Sequence, residues 1–130
     1  HGPTALNKPV LFIEVGTTEK EWNDEELCKN VAKIVVDVMS HTTKKHDAAI
    51  CFGSTHYPKK FTSVLLEDEY ALGTITPKHA LEFLDQNLFS HNLKRNNEAK
   101  IALLDWGGLG KYKQRVINLI ETTDLEVIKI

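Results

Sequence analysis

The sequence predicts an α/β fold: a mostly parallel, five-stranded sheet flanked by helices. Three observations predict it. Short apolar runs recur along the chain, the pattern of strands covered on both faces. Between them lie segments whose apolar residues repeat at helical spacing, so strands and helices alternate. The chain has 130 residues, enough for one buried core, and 1–130 is read as a single α/β domain.

The first strand is expected over 10–15, an apolar run closed by Gly16. Asn23 and Asp24 then offer a helix cap. Glu25 and Glu26 favour the dipole of the first turn, and Leu27, Val31, Ile34, Val35 and Val38 form one apolar face to about Ser40. A basic turn over 41–46 leads to the second strand, 47–52. Phe61, Val64 and Leu65 favour a short helix over 60–67, and a third strand follows over 70–74. Thr76 and Pro77 read as N-cap and first residue of a helix that places Ala80, Leu81, Leu84 and Leu88 on one face. A polar loop over 92–98 precedes a fourth strand, 100–104. A glycine-rich turn over 105–110, a helix over 111–122 and a last strand over 125–130 complete the chain.

Ligands of open parallel sheets bind outside the carboxyl ends of the strands, where every strand-to-helix connection lies. Those connections carry Glu14, Thr17 and Glu19, then 54–60, then 74–78, then Asp105, Trp106 and the following glycines. His41, His46, His91, Lys94 and Arg95 fall at the opposite edge and are read as solvated or capping residues. The densest segment is Ala49-Ile50-Cys51-Phe52-Gly53-Ser54-Thr55-His56-Tyr57-Pro58-Lys59-Lys60-Phe61, which opens as a buried strand, breaks at glycine and presents hydroxyls, an imidazole, a phenol and two ammonium groups.

Each candidate has a plainer reading beside it. Glu14 is either a functional acid or an edge-strand residue. His56 is a base, metal ligand or phosphate donor, or else a hydrogen-bonded loop clamp. Tyr57 stacks on a base or sugar, or makes an extended turn before Pro58. Lys59, Lys60 and Lys78 meet phosphates or are surface lysines. His79 faces the rim or solvates a helical turn, the latter being favoured. Asp105 marks a strand end or caps a helix, and Gly107-Gly108-Leu109-Gly110 lacks the spacing of a full phosphate loop.

Sixteen basic against eighteen acidic residues give a formal net charge of -2, so any nucleic-acid contact must be a local patch. Cys28 and Cys51 form no CxxC pair and suit a reducing cytoplasm. No leader and no apolar run near the ~18 residues of a membrane span is present, and a soluble protein is expected. No HExxH, paired CxxC or GxSxG motif occurs. The first residue is His1 rather than methionine, and a fragment or processed chain is expected.

Five segments in register resemble the archaeal and plant type of D-aminoacyl-tRNA deacylase. They are His1-Gly2-Pro3-Thr4, the stretch from Phe12 through Glu14 to Trp22, the stretch from Phe52 through His56 to Phe61, Ile75-Thr76-Pro77-Lys78-His79-Ala80-Leu81, and Asp105-Trp106. The resemblance spans nearly the whole chain. It implies a fold similar to peptidyl-tRNA hydrolase and nucleoside phosphorylases, and a zinc-dependent, monomeric, cytoplasmic hydrolase that removes D-amino acids such as D-tyrosine from tRNA. Members run to roughly twice this length, and the resemblance implies that this chain is the C-terminal part of a longer architecture or a shortened member.

The roles it implies are these. His56, Thr55 and Glu14 are catalytic, and His1, Glu14 and His56 are zinc ligands. Ser54, Tyr57, Lys59, Lys60, Lys78, Asp105, Trp106 and Lys111 bind the aminoacylated tRNA, with Tyr57 or Trp106 stacking on the terminal adenine. Three positions depart from the family pattern: Thr74 stands where histidine is usual, Gly107 where lysine is usual, and Ser54 replaces a glycine. Two other readings remain: a nucleoside phosphorylase or hydrolase, and a non-catalytic RNA-binding half that needs a partner segment.

Overall fold

The structure is a computed structural model that describes residues 10, 12–16, 18–41 and 45–130. It forms two compact units, 1–44 and 45–130, each described by itself.

In the first unit a single helical turn, α1 (Glu19–Trp22), precedes α2 (Glu25–Ser40). Asp24 caps α2 as the sequence predicts, its carboxylate accepting from the Leu27 amide at 3.0 Å. The strand expected over 10–15 does not form in the described residues 10 and 12–16. Val10, Ile13 and Val15 remain between 43 and 49 % exposed. An apolar run becomes a strand only when a neighbour completes its ladder.

The second unit holds β1 (Ala48–Phe52), α3 (Lys59–Leu66), β2 (Ala71–Thr76), α4 (Gln86–Arg95), β3 (Ala99–Leu104), α5 (Lys113–Ile120) and β4 (Glu126–Lys129). All four strands are parallel, in the order β2-β1-β3-β4. The sheet thus has four strands among the described residues, not five. α3 carries the chain from β1 outward to β2. The next connection returns past β1 to β3, which leaves a topological switch point between β1 and β3.

The central strands alternate their side chains between two cores. Ile50 and Phe52 join Ala102, Leu104, Phe89, Val116 and Ile120 on one face. Ala49 and Cys51 join Ile101, Leu103, Phe61 and Val64 on the other. Phe61 and Val64, spaced i, i+3, are the buried face of α3, and burial of the Cys51 thiol pushes its pKa up to about 12.

The segment after β2 departs from expectation. Thr76 is the buried last residue of the strand, not a helix cap. Pro77 stays extended, Lys78–Ala80 make one 3₁₀ turn, and α4 starts only at Gln86. Asp85 wins as the cap because its carboxylate accepts from the Leu88 amide at 2.8 Å. Leu81 and Leu84 are buried, but from the irregular segment before α4 rather than from a helix face. The expected loop over 92–98 is therefore helical through Arg95, and His91, Lys94 and Arg95 lie on α4. Asn96, at the end of α4, ties it to the sheet edge: its Oδ1 accepts from the Thr74 amide at 3.1 Å and its Nδ2 donates to Thr74 Oγ1 at 2.8 Å.

Candidate active site at the sheet switch point

Three strand-end loops are bound into one frame by main-chain hydrogen bonds. The Gly53 amide donates to the Thr76 carbonyl at 2.9 Å, Lys78 to the Ser54 carbonyl at 2.9 Å, and Asp105 to the Phe52 carbonyl at 3.0 Å. The loops after β1, β2 and β3 cannot move independently.

Gly53 has φ +100, and a Cβ there would lie 2.9 Å from the Asp105 carbonyl oxygen. Only glycine satisfies both demands. Ser54 follows at φ 70, a left-handed conformation that costs a side-chain-bearing residue about 1–2 kcal/mol. This is the position where the resemblance shows glycine. A Cβ on Gly108 would lie 2.5 Å from both Asp105 Oδ2 and the Ser54 nitrogen, so that glycine lets the first and third loops close on each other.

Asp105 is 8 % exposed. Burial alone would raise its carboxyl, but the Lys60 ammonium at 2.9 Å, the Gly108 amide at 3.0 Å and the Gly107 amide hold it below the ordinary range. Lys60 also donates to the Ile130 carbonyl at 2.9 Å. Its ammonium therefore braces the loop after β3 from α3. The Trp106 ring has two ammonium groups against it, Lys113 at 4.7 Å and Lys129 at 4.2 Å from the centroid.

Above this frame lies a cleft of about 480 Å³. Ser54, Thr55 and His56 line it from the first loop, Lys78, His79 and Glu82 from the second, and Lys111 and Tyr112 from the third. Thr55 Oγ1 donates to the Tyr57 carbonyl at 3.0 Å, closing the turn that presents His56. The Tyr57 ring stands edge-on to the His56 ring at 5.0 Å but is itself 79 % exposed.

Five of the expected site residues thus meet in the cleft: Ser54, Thr55, His56, Lys78 and Lys111. Tyr57, Asp105 and Trp106 lie on the same loops, and Lys59 and Lys60 in the first turn of α3, without lining it. His79, favoured as a solvated residue, is in the lining, and the sequence reading passes over Glu82 and Tyr112 altogether. Glu14 is an exposed residue of the first unit, and His1 lies outside the described residues. Of the residues assigned to the opposite edge, His41 Nδ1 lies 2.7 Å from the Asp37 carbonyl oxygen and His46 Nε2 lies 3.1 Å from Asp68 Oδ1.

Among the described residues no three His, Cys, Asp or Glu side chains gather closely enough to hold a metal ion, and Asp105 is already matched by Lys60. Among the same residues no helix is long and apolar enough to cross a membrane.

A family model described as D-aminoacyl-tRNA deacylase matches residues 1–128. A D-aminoacyl-tRNA deacylase of Cenarchaeum symbiosum is 55 % identical over 98 % of this chain and 50 % of its own length. The Methanocaldococcus jannaschii protein of that name is 37 % identical over 97 % of this chain and 50 % of its own. One from Methanosarcina acetivorans is 33 % identical, over 99 % and 42 %. The chain thus spans about half the length of the curated relatives it matches. The crystal structure of a conserved protein of unknown function, AF0625, shares the fold with a TM-score of 0.75 at 24 % identity, over 88 % of this chain and 40 % of that one.

Proposed function

The chain belongs to the D-aminoacyl-tRNA deacylase family, and from that premise we propose that its switch-point cleft hydrolyses the ester of a D-aminoacyl-tRNA such as D-tyrosyl-tRNA. One observation carries this reading. Three strand-end loops converge on a single cleft that combines two imidazoles, a carboxylate, three hydroxyls and two ammonium groups, a set that includes what an ester next to a phosphate chain requires.

The chemistry follows from those groups. His56 takes a proton from a water as its oxygen attacks the ester carbonyl carbon. Ser54 and the loop amides donate to the oxyanion of the tetrahedral intermediate, while the Thr55 hydroxyl, which donates to the Tyr57 carbonyl, holds the turn that presents His56. When the intermediate collapses, the bond from the carbonyl carbon to the ribose oxygen breaks, and the imidazolium returns its proton to that oxygen. The products are the free D-amino acid and the tRNA. Lys78 and Lys111 hold the terminal phosphates, and Tyr57, exposed on the loop after β1, and Lys59, exposed at the start of α3, extend the contact along the RNA. Asp105 and Lys60 serve by holding the frame, and Trp106 receives the adenine beside Lys113 and Lys129.

Zinc is proposed on the family resemblance alone, and no step above passes through it. Of the ligands the resemblance implies, His56 lines the described cleft, Glu14 belongs to the first unit, and His1 lies outside the described residues. Where the family shows a histidine, Thr74 is hydrogen-bonded to Asn96. The same resemblance supports a cytoplasmic monomer and a peptidyl-tRNA hydrolase or nucleoside phosphorylase-like fold for the full architecture.

Incubation with D- and L-tyrosyl-tRNA, with and without chelator, tests the proposal. D-selective release of tyrosine is expected. Binding of tRNA without release would instead favour a non-catalytic RNA-binding half, and turnover of free nucleosides with phosphate would favour a phosphorylase.

A further inference from the structure

The cleft holds a carboxylate to which the reaction above gives no task. Among the described residues that line it, Glu82 is the one Asp or Glu. Its backbone is fixed from two sides. It lies on the irregular segment before α4, between Leu81 and Leu84, both fully buried, and its carbonyl accepts from Arg115 Nη1 of α5 at 2.9 Å. The Lys78–Ser54 main-chain hydrogen bond joins the start of the same connection to the loop that presents His56. Asp105 is matched by Lys60, whereas the Glu82 carboxylate takes part in no hydrogen bond or ion pair among the described residues. An acceptor on a braced segment, with its charge unmatched, is suited to a cation on the ligand.

The aminoacylated end of a tRNA has one such cation. Besides the ester and the phosphates it carries an α-amino group, which is mostly protonated at neutral pH. His56 and Ser54 face the ester in the proposed reaction, and Lys78 and Lys111 the phosphates. Those two ammonium groups repel a third, so within the lining the favourable place for the α-ammonium is against Glu82. We propose that Glu82 receives the α-ammonium of the aminoacyl group and makes the cleft selective for esters with a free amine over N-acylated, peptidyl-like ones. This assignment rests on the ester reading for the identity of the ligand, and its test reads binding rather than turnover.

The probe is 3′-deoxy-3′-(D-tyrosylamino)adenosine, in which an amide replaces the ester, and its N-acetyl form, titrated calorimetrically at pH 7 into the unaltered chain. The free-amine form should bind at least about tenfold more tightly than the N-acetyl form. Glu82→Gln should bring the two affinities within about twofold by weakening the free-amine form alone. Glu121→Gln, which removes an exposed charge at the end of α5, should leave the tenfold ratio in place. Thermal melts check that both variants fold. No binding of the free-amine form by the unaltered chain, or equal binding of the two forms, would overturn the proposal. So would a ratio that survives Glu82→Gln, which would trace the preference to the bulk of the acetyl group, or a loss of both forms in that variant, which would make Glu82 structural. The two readings fail separately: the expected binding pattern without deacylation sinks the hydrolysis alone, and D-selective deacylation with a ratio indifferent to Glu82→Gln sinks this pairing alone.

Discussion

Lys60 Nζ lies 2.9 Å from Asp105 Oδ1, and this pair joins the first turn of α3 to the loop that follows β3. The two residues come from opposite sides of the switch point, so the ion pair fixes the separation of the loops on which the cleft stands. Gly53 and Gly108 make the approach possible by leaving no side chain between the loops.

Asp105 should make stability depend on pH in a defined direction. A carboxyl held below its unfolded value adds stability above that value, ~3.9 for aspartate. The contribution is lost as pH falls through the lower folded value. Urea unfolding at pH 7 and at pH 3 should show this loss, and Lys60→Met should shrink it. Asp105→Asn should cost about 2 kcal/mol at pH 7. An unchanged pH dependence in Lys60→Met would remove the pair from this role.

Opposite outcomes are expected at two adjacent residues. Gly53→Ala adds a Cβ at φ +100 against the Asp105 carbonyl and should destabilise by about 2 kcal/mol or more. Ser54→Gly removes a left-handed serine and should be neutral or stabilise by up to about 1 kcal/mol. Thermal melts of the two variants check both signs.

The two thiols should separate cleanly. Cys51 is buried with its pKa pushed up to about 12, whereas Cys28 is exposed. Iodoacetamide at pH 8 should modify Cys28 alone in the native protein and both thiols in urea, as read by mass spectrometry. Native modification of Cys51 would contradict its place in the core.

The strands over 47–52 and 100–104 are legible in the sequence because burial on both faces leaves unbroken apolar runs, and the helix from Glu25 is legible because Asp24 caps it. The run over 10–15 misleads for the same reason: it is apolar, but pairing, not composition, makes a strand. Thr76-Pro77 misleads because the Asp85 cap nine residues on competes with it, and Thr76 is claimed by the sheet. At the site, the loop after β1 concentrates its polar groups within a few residues, so Ser54, Thr55 and His56 stand out. His79, Glu82 and Tyr112 do not, since their place in the cleft depends on the Lys78–Ser54 hydrogen bond and on turns set by distant contacts.

The most direct test compares His56→Ala with the unaltered chain in single-turnover deacylation of D-tyrosyl-tRNA, at matched thermal stability. We predict a loss of at least about 10²-fold, with L-tyrosyl-tRNA spared by both proteins. Full deacylation by His56→Ala would contradict the assignment of the cleft as the place where the ester is cleaved.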